Sequence, residues 1–437
     1  MKIVLTGAGP TGLTLGAALA RRGHRVVAFD PDPGPSPDGT WRRRGVMQFE
    51  HAHGFRPQVR ELLLAEWPDA YDEWVGLGGA ELTVEIPDSP PLVVMRSRRR
   101  TYERALRAAA ARVSGLSVRT GRVEHLLQER GRVAGVVVDG RAVPADLVVD
   151  ASGRAPRLGG PVVEEIGGEC GLAYVDRRYR LRPGAEAGPL TQPYVWGGSF
   201  DGFDAMVFPH ERGHFSVVIV RPTSDDALKQ LRHRELFEAA CCAVPGLAEW
   251  TDPDRSVSCG DVLPGGLLRN VYRWQRPLAG VVAVGDAVAT TTPTAGRGVA
   301  MASMQIGMLL GLIDGGADLM NVGAPFGERC DVEILPWVED HLATDTERAQ
   351  RWLGAGLDLD RPLTSRSIVD AAAADPRILE HVGGYLAMTA LPATLATAEP
   401  LARAVYGTGW QPSFSEGPTR DELGGMLGLT TGMALAS

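Results

Sequence analysis

The run Gly7-Ala8-Gly9-Pro10-Thr11-Gly12 has the residue types and spacing of a phosphate-binding turn, and it is the first chemistry legible in the 437-residue chain. It follows the apolar segment Ile3 to Thr6 and opens the Ala- and Leu-rich segment Thr11 to Arg22; a second apolar segment, Arg25 to Phe29, then ends at Asp30. Apolar run, helical run and apolar run in that order predict a βαβ unit. Within such a unit Gly7 permits the tight turn and Gly9 lets backbone approach a pyrophosphate. Pro10 and Thr11 start the helix whose end faces the phosphates, and Gly12 lets helix and strand pack closely. Unpaired N–H groups and partial positive charge at the helix start favour an anion, and Asp30 is placed to accept hydrogen bonds from a ribose. The predicted chemistry is dinucleotide binding.

Several dinucleotides share that fingerprint, so the choice among them rests on a second segment, Val281-Val282-Ala283-Val284-Gly285-Asp286-Ala287, followed by Pro293, Gly296, Gly298 and Ala300. A strand that delivers an Asp beside a glycine-bounded helix start suits a polar polyol chain leading to a flat ring. This segment resembles the second flavin motif of the aromatic-hydroxylase superfamily of FAD enzymes. The resemblance implies FAD as the cofactor, Asp286 on the ribityl chain, and Gly285, Pro293, Gly296 and Gly298 beside it. The helix start near Gly296 to Val299 would then stabilise negative charge on reduced flavin. A third segment, Leu147 to Arg154, carries Asp150-Ala151-Ser152-Gly153-Arg154 and is similar to the DxSGR stretch of related flavin enzymes, which assigns Asp150 to the cofactor. It departs from the Asp-Gly signature of single-component aromatic hydroxylases, so NAD(P)H is expected as the electron source either directly or through a separate flavin reductase. Arg99 matches the superfamily's Arg at the start of a helix that meets the FAD phosphates, with Arg98 and Arg100 as alternatives.

Gly45-Val46-Met47-Gln48-Phe49-Glu50-His51-Ala52-His53 resembles the GVPQxxHxH segment of bacterial flavin epoxidases, with Met47 in place of the proline. By that resemblance Arg44 and Gln48 lie along the FAD and His51 or His53 lies nearer the ring. Imidazole titrates near neutral pH, so either histidine is a candidate for proton transfer, and a structural role is the alternative. His-x-His is also a metal spacing, but no Cys, Asp or Glu cluster completes a site, and no metal is expected. Arg297, in the loop expected to face the flavin, is a candidate for holding a substrate oxygen or steadying reduced flavin. Arg297, His51 and His53 are thus the catalytic candidates. By motif order the resemblance runs over residues 1 to 315.

These motifs need elements to position them. Helical patterns recur at Val59 to Glu66 and Tyr102 to Arg112. Val123 to Gln128 and Val133 to Val138 read as a hairpin, and Leu147 to Val149 as a buried strand. From Val162 to Cys259 longer β-type segments take over, including Phe203 to Phe208 and His214 to Val220, with one helix near Asp226 to Ala243. Val281 to Val284 restores a buried strand and Gly296 to Ile313 a helix, and beyond Ala324 the pattern is helical with Pro362, Pro392 and Pro400 as punctuation. The fold class expected is α/β. A discontinuous Rossmann-type FAD-binding domain covers residues 1–75, 96–165 and 270–323; an inserted β-sheet substrate domain covers 76–95 and 166–269; a helical C-terminal region covers 324–437. Tyr194, Trp196, Phe208 and Pro209 are candidate lining residues of the substrate face.

Composition bounds the rest. A hydrophobic share of 44% and a charged share of 22% are those of an ordinary globular enzyme. A net charge of −8 with interspersed signs gives no electrostatic reason to bind nucleic acid or anionic lipid. Five cysteines without a CxxC fit free thiols in a reducing compartment. The apolar stretch Gly298 to Ile313 is too short and glycine-broken to span a membrane, and a cytoplasmic location is expected. The expected activity is a monooxygenase of the resembled kind, which uses a flavin C4a-hydroperoxide to hydroxylate or epoxidise a small organic substrate with molecular oxygen. The alternative is an FAD-dependent reductase or dehydrogenase without oxygen insertion. A halogenase of the same superfamily needs a lysine near the flavin and a WxWxIP motif; the only lysines are Lys2 and Lys229, and the motif is absent. The C-terminal helices are expected either to cover the substrate pocket or to form a homodimer.

Overall fold

The structure is a computed structural model that describes residues 1–437 apart from 44, 87–88, 155–157, 159–161, 267 and 430–437; the side chains of 86, 89–90 and 162–163 are likewise outside the description. Its centre is a parallel five-stranded sheet, in the spatial order Val281–Ala283, Leu147–Asp150, Lys2–Thr6, Arg25–Asp30 and Leu116–Thr120. Ile3 pairs with Val26 on one side and with Leu147 on the other. All four residues of Leu147–Asp150 are buried, as a strand covered on both faces requires. Alternation decides what each face meets. Ile3, Leu5 and Val149 pack under the helices Pro10–Arg21, Arg99–Ala110 and Gly298–Asp314. Val4 and Val148 face an antiparallel meander, Val123–Glu129, Arg132–Val138 and Arg141–Pro144. The expected hairpin is therefore two strands of three.

A second, antiparallel sheet of six strands is built around Leu172–Leu181, His214–Pro222, Phe203–Pro209 and Trp196–Phe200, with Ser256–Ser258 and Leu263–Gly265 paired along Leu172–Leu181. Val175, Ala205, Val207, Val217 and Ile219 point to one side, onto the helices Arg234–Ala243 and Pro245–Thr251. The single helix expected at Asp226 to Ala243 is divided: His233 is extended (φ −87°, ψ 131°) between the 3-10 turn Leu228–Arg232 and the helix Arg234–Ala243. Trp196 also belongs to this packed side. It pairs with Val207 and its ring lies over Gly246, so it does not line the substrate face as expected.

The two sheets are joined by a third, in which Val162–Glu169 and Ala289–Thr290 flank Arg269–Gln275. Val162–Glu169 thus runs across the expected boundary at 165/166. The C-terminal region is helical, as expected, from Gly323–Glu333 and Leu335–Trp352 through Ser365–Ala371, Leu379–Ala387 and Glu399–Gly407 to Arg420–Met426. Trp337, Ile368, Val382 and Tyr385 share one hydrophobic core with the parallel sheet, so these helices are built onto the body. Among the described residues no helix is long and apolar enough to cross a membrane.

Two glycines set the geometry at the first turn. Gly7 has φ +98°, and a Cβ there would lie 2.3 Å from the Ala151 carbonyl oxygen; a Cβ on Gly12 would lie 2.0 Å from the Gly7 carbonyl oxygen. Backbone cannot yield as a side chain does. We expect Gly12→Ala to destabilise the protein by at least the about 1–3 kcal/mol typical of overpacking, read as a lowered thermal unfolding midpoint. An unchanged midpoint would contradict the close packing of helix on strand.

Candidate functional site

The carboxyl ends of the parallel strands open into one cavity of 1360 Å³ that continues to the six-stranded sheet and the C-terminal helices. Ligands of open α/β sheets bind outside these strand ends. A cavity of this size exceeds the roughly 300–1000 Å³ that holds one small ligand.

At its first end Gly7, Gly9, Pro10 and Thr11 line the wall, with Asp30 beside them. Asp30 is held rigidly, accepting from the Ala8 N–H at 2.7 Å and the Asp32 N–H at 2.8 Å. Arg43 reaches the same place. Its guanidinium donates to Asp30 at 3.1 Å and to Glu103 at 2.5 Å, and it is the nearest group to Gly9 outside the turn. Glu103, 2% exposed, also accepts from Arg99 at 2.6 Å, and Arg99 in turn donates to Gln48 at 3.3 Å. One buried carboxylate thus holds two cavity-lining guanidiniums at the N-terminal turn of Pro10–Arg21, where a pyrophosphate carries two negative charges. Arg98 and Arg100 are engaged elsewhere, with Glu211 and with the Trp41 carbonyl.

Further along lie Asp286, Pro293, Gly296 and Gly298. The Asp286 carboxylate accepts no hydrogen bond from the described residues, and burial raises its pKa against the pull of Arg99, Arg154 and Arg273. A buried carboxylate facing open space calls for hydroxyl donors. Gly285 does not itself line the cavity. It has φ +75°, and a Cβ there would meet the Thr11 side chain at 2.8 Å, so it permits close approach to the first motif. Gly12 is likewise beneath the wall. These residues fit FAD: an anion site, a ribose acceptor, a polyol acceptor and a glycine-lined helix start follow one another along the cavity.

Three expectations need correction, and one lies outside the described residues. Asp150 is absent from the wall; 1% exposed, it accepts from the Thr6 hydroxyl at 3.1 Å and the Ser152 N–H at 3.0 Å, pinning the loop whose Ser152, Gly153 and Arg154 do line the cavity. Arg297 is also absent from the wall. As N-cap of Gly298–Asp314 it turns into the C-terminal helices, donating at 2.6 Å to both Asp340 and the Tyr385 hydroxyl and packing on the Trp337 ring at 4.8 Å. Its Nε has no partner among the described residues but is buried, so the guanidinium is not presented to a substrate in the cavity. His51 is turned behind the wall, its ring edge-to-face with Tyr174 at 5.1 Å and its Nδ1 3.8 Å from Asp176. Arg44 falls outside the described residues. His53 does line the cavity, with its ring on Phe55 at 4.8 Å. Burial holds the His53 pKa well below 6.5 and that of His51 at about 4, so both are neutral hydrogen-bonding groups. Of the expected substrate-face residues, Tyr194, Phe208 and Pro209 line the cavity.

Sequence reasoning missed Arg43, Arg154, Arg56 and Tyr174. Arg154 stands inside the DASGR stretch already singled out, and Arg43 directly precedes Arg44. Nothing local marks Arg56 or Tyr174.

Comparison with known proteins follows this geometry. The model of the lycopene cyclase protein family matches residues 2–165, under half of the chain. No curated protein matches the sequence. Among solved structures, a probable FAD-dependent monooxygenase of Pseudomonas aeruginosa is 18% identical over 81% of this chain and 98% of its own, with a TM-score of 0.58. A flavin-dependent brominase is 13% identical over 94% and 100%, with a TM-score of 0.62. The myxobacterial chondrochloren halogenase is 18% identical over 98% and 96%, with a TM-score of 0.58. The fold is that of these FAD-dependent monooxygenase and flavin-dependent halogenase structures. Within this fold the cavity spans the strand ends and the face of the antiparallel sheet.

Asp286→Ala removes a cavity carboxylate, and Arg297→Met removes a buried tether. We expect the first to weaken FAD binding by about ten-fold or more, the worth of a hydrogen bond to a charged group, with little change in the unfolding midpoint of the FAD-free protein. We expect the second to cost about 3–5 kcal/mol of stability by stranding Asp340 while FAD affinity stays near wild type. Titrations of flavin fluorescence beside thermal melts separate them, and the opposite pattern would mean the two roles are exchanged.

Buried histidines also make stability depend on pH. His51 at about 4 and His210 at about 3 have folded pKa values below 6.5, lowered chiefly by burial, and His341 lies well below it for the same reason. The unfolded chain therefore binds more protons between these values. Stability is fully present above pH 6.5 and falls as pH drops through that window, by up to about 1.4 kcal/mol per pH unit for each histidine. Asp176, raised by burial to about 7, works in the opposite sense between its unfolded value and 7. Denaturant melts from pH 4 to 8 should show a net loss toward acid, and a flat profile would refute neutral burial of these rings.

Proposed function

We propose that the protein is an FAD-dependent monooxygenase that hydroxylates or epoxidises a small organic substrate, with electrons from NAD(P)H delivered directly or through a separate flavin reductase. The observation that carries this reading is the single cavity that joins a dinucleotide end, with its unpartnered Asp286 carboxylate, to an apolar face of a second sheet. When bound, FAD supplies the reaction with oxygen, so no nucleophilic side chain is needed.

The chain's own residues have narrower tasks. Arg43 and Arg99, held by Glu103, would neutralise the phosphates of FAD, and Asp30 and Asp286 would accept from its sugar and polyol hydroxyls. The start of Gly298–Asp314 would supply backbone N–H groups to the flavin. His53, neutral, offers a hydrogen bond without a charge. The sheet face and the C-terminal helices keep water from the reacting atoms. Epoxidation as one outcome rests on the likeness of Gly45 to His53 to the epoxidase segment.

Halogenation, the activity of two of the similar structures, is disfavoured by the lysines. Lys2 begins the first strand and Lys229 lies beside Asp226 on the surface; neither lines the cavity. The test is rapid mixing of the reduced FAD-loaded protein with oxygenated buffer, followed by absorbance. A spectrally distinct transient before oxidised flavin, with one atom of labelled oxygen in the product, supports monooxygenation. Single-step reoxidation with no label incorporated would favour the reductase or dehydrogenase reading, and failure to bind FAD would remove both.

A further inference from the structure

A charge sealed in a cavity wall without a partner is costly, so the charges that a wall does carry record the charge of what it meets. At the substrate end the wall has two sources. The six-stranded sheet contributes Tyr174, Met206, Phe208, Val218 and Val220; the C-terminal helices contribute Val369, Leu379, Val382 and Leu386. None bears a charge. Arg56 also reaches the cavity, but its guanidinium donates to the carbonyl oxygens of Ala295 and Leu386. The hairpin Ala80–Ile86/Ser89–Arg96 adds one side chain of each sign, Glu85 and Arg96. Among the described residues neither principal wall carries a charged side chain of its own, and Arg96 and Arg154 line the cavity outside them.

The polar groups that remain are neutral and unpaired. The Tyr174 hydroxyl and the Thr291 hydroxyl are both buried, both residues line the cavity, and neither has a hydrogen-bond partner among the described residues. Buried hydroxyls without partners are uncommon, and in a cavity wall they fit the oxygen of a ligand. The opening is apolar as well. Tyr194, Leu379 and Leu386 line the cavity yet remain 41%, 51% and 45% exposed.

We infer that the substrate is an uncharged, largely apolar molecule larger than a single ring, which enters past Tyr194 and the helix Leu379–Ala387 and offers its oxygen atoms to Tyr174 and Thr291. The inference rests on the monooxygenase reading for its placement beside FAD, and it gives the C-terminal helices the role of substrate wall and entrance. Size follows from the cavity, whose 1360 Å³ leaves space for a second molecule beyond a cofactor.

The test uses two fluorescent probes of matched shape, 2-(hydroxymethyl)anthracene and anthracene-2-carboxylate, titrated into the FAD-loaded protein. The neutral probe is expected to bind at least about ten-fold more tightly, a difference of about 1.4 kcal/mol. Val382→Trp, which fills the wall, should weaken its binding by a similar factor. Leu379→Asp, at an exposed position that leaves folding intact, should do so at the entrance. Tyr174→Phe should weaken the alcohol probe more than anthracene itself. FAD affinity, measured by flavin fluorescence in the same samples, should be unchanged in all three. Protein that binds FAD but takes the carboxylate equally well, or neither probe, overturns the inference and leaves the monooxygenase reading standing. Loss of FAD binding in the parent protein would instead overturn that reading.

Discussion

Backbone packed on backbone at Gly7 is the constraint from which the site grows. The Ala151 carbonyl occupies the space where a side chain at Gly7 would be, and the Gly7 carbonyl occupies the space of one at Gly12. Strand, turn, helix and the loop after Leu147–Asp150 are therefore locked together before any ligand arrives. Gly285 brings a third stretch against the Thr11 side chain. Three stretches far apart in the chain so converge at the strand ends, where their N–H groups and carboxylates face one cavity.

Charge is arranged around that packing. Arg43 and Arg99 would repel each other and lose hydration if left alone in the wall; Glu103 and Asp30 offset both costs while leaving the guanidiniums at the cavity surface. Glu103 touches nothing in the cavity. It is a positioning residue, and two arginines whose side chains would otherwise sample many rotamers are fixed by it, which lowers the entropy lost on binding a phosphate.

The parts of this fold legible in the sequence are those whose partners are close in the chain or whose pattern is periodic. Gly7 to Asp30 is one βαβ unit, so turn, helix and acid could be read together, and Val123 to Val138 followed from alternation across a short turn. The DASGR stretch was located, but Asp150 was assigned to the cofactor because the sequence does not show that Thr6 and Ser152 occupy it. Arg297 was misplaced for a related reason. Its partners Asp340 and Tyr385 lie 43 and 88 residues further on, and nothing in the loop announces them. Trp196 was misread because strand parity is set by pairing. Opposite Val207 it must share that residue's packed face, which one sequence does not specify. Tyr174 and Thr291 had no signal at all; an unpartnered hydroxyl is visible only once the surroundings are known.

The same long-range contacts tie the two ends of the cavity together. Arg297 caps the helix beside the proposed ring site and is bonded to Tyr385 in the helix Leu379–Ala387. From the opposite side Arg56 bridges the Ala295 carbonyl, in the turn before that site, to the Leu386 carbonyl of the same wall helix. Two guanidiniums thus span from the cofactor loop to the substrate wall, one buried among aromatic rings and an acid, the other among carbonyls. Neither loop nor helix can shift alone without breaking charge-assisted hydrogen bonds, of which those of Arg297 lie away from solvent, where such bonds are strongest. The proposed substrate wall and the turn before the proposed ring site are thereby tied together, which is the geometry a reaction confined to one face of a ring requires.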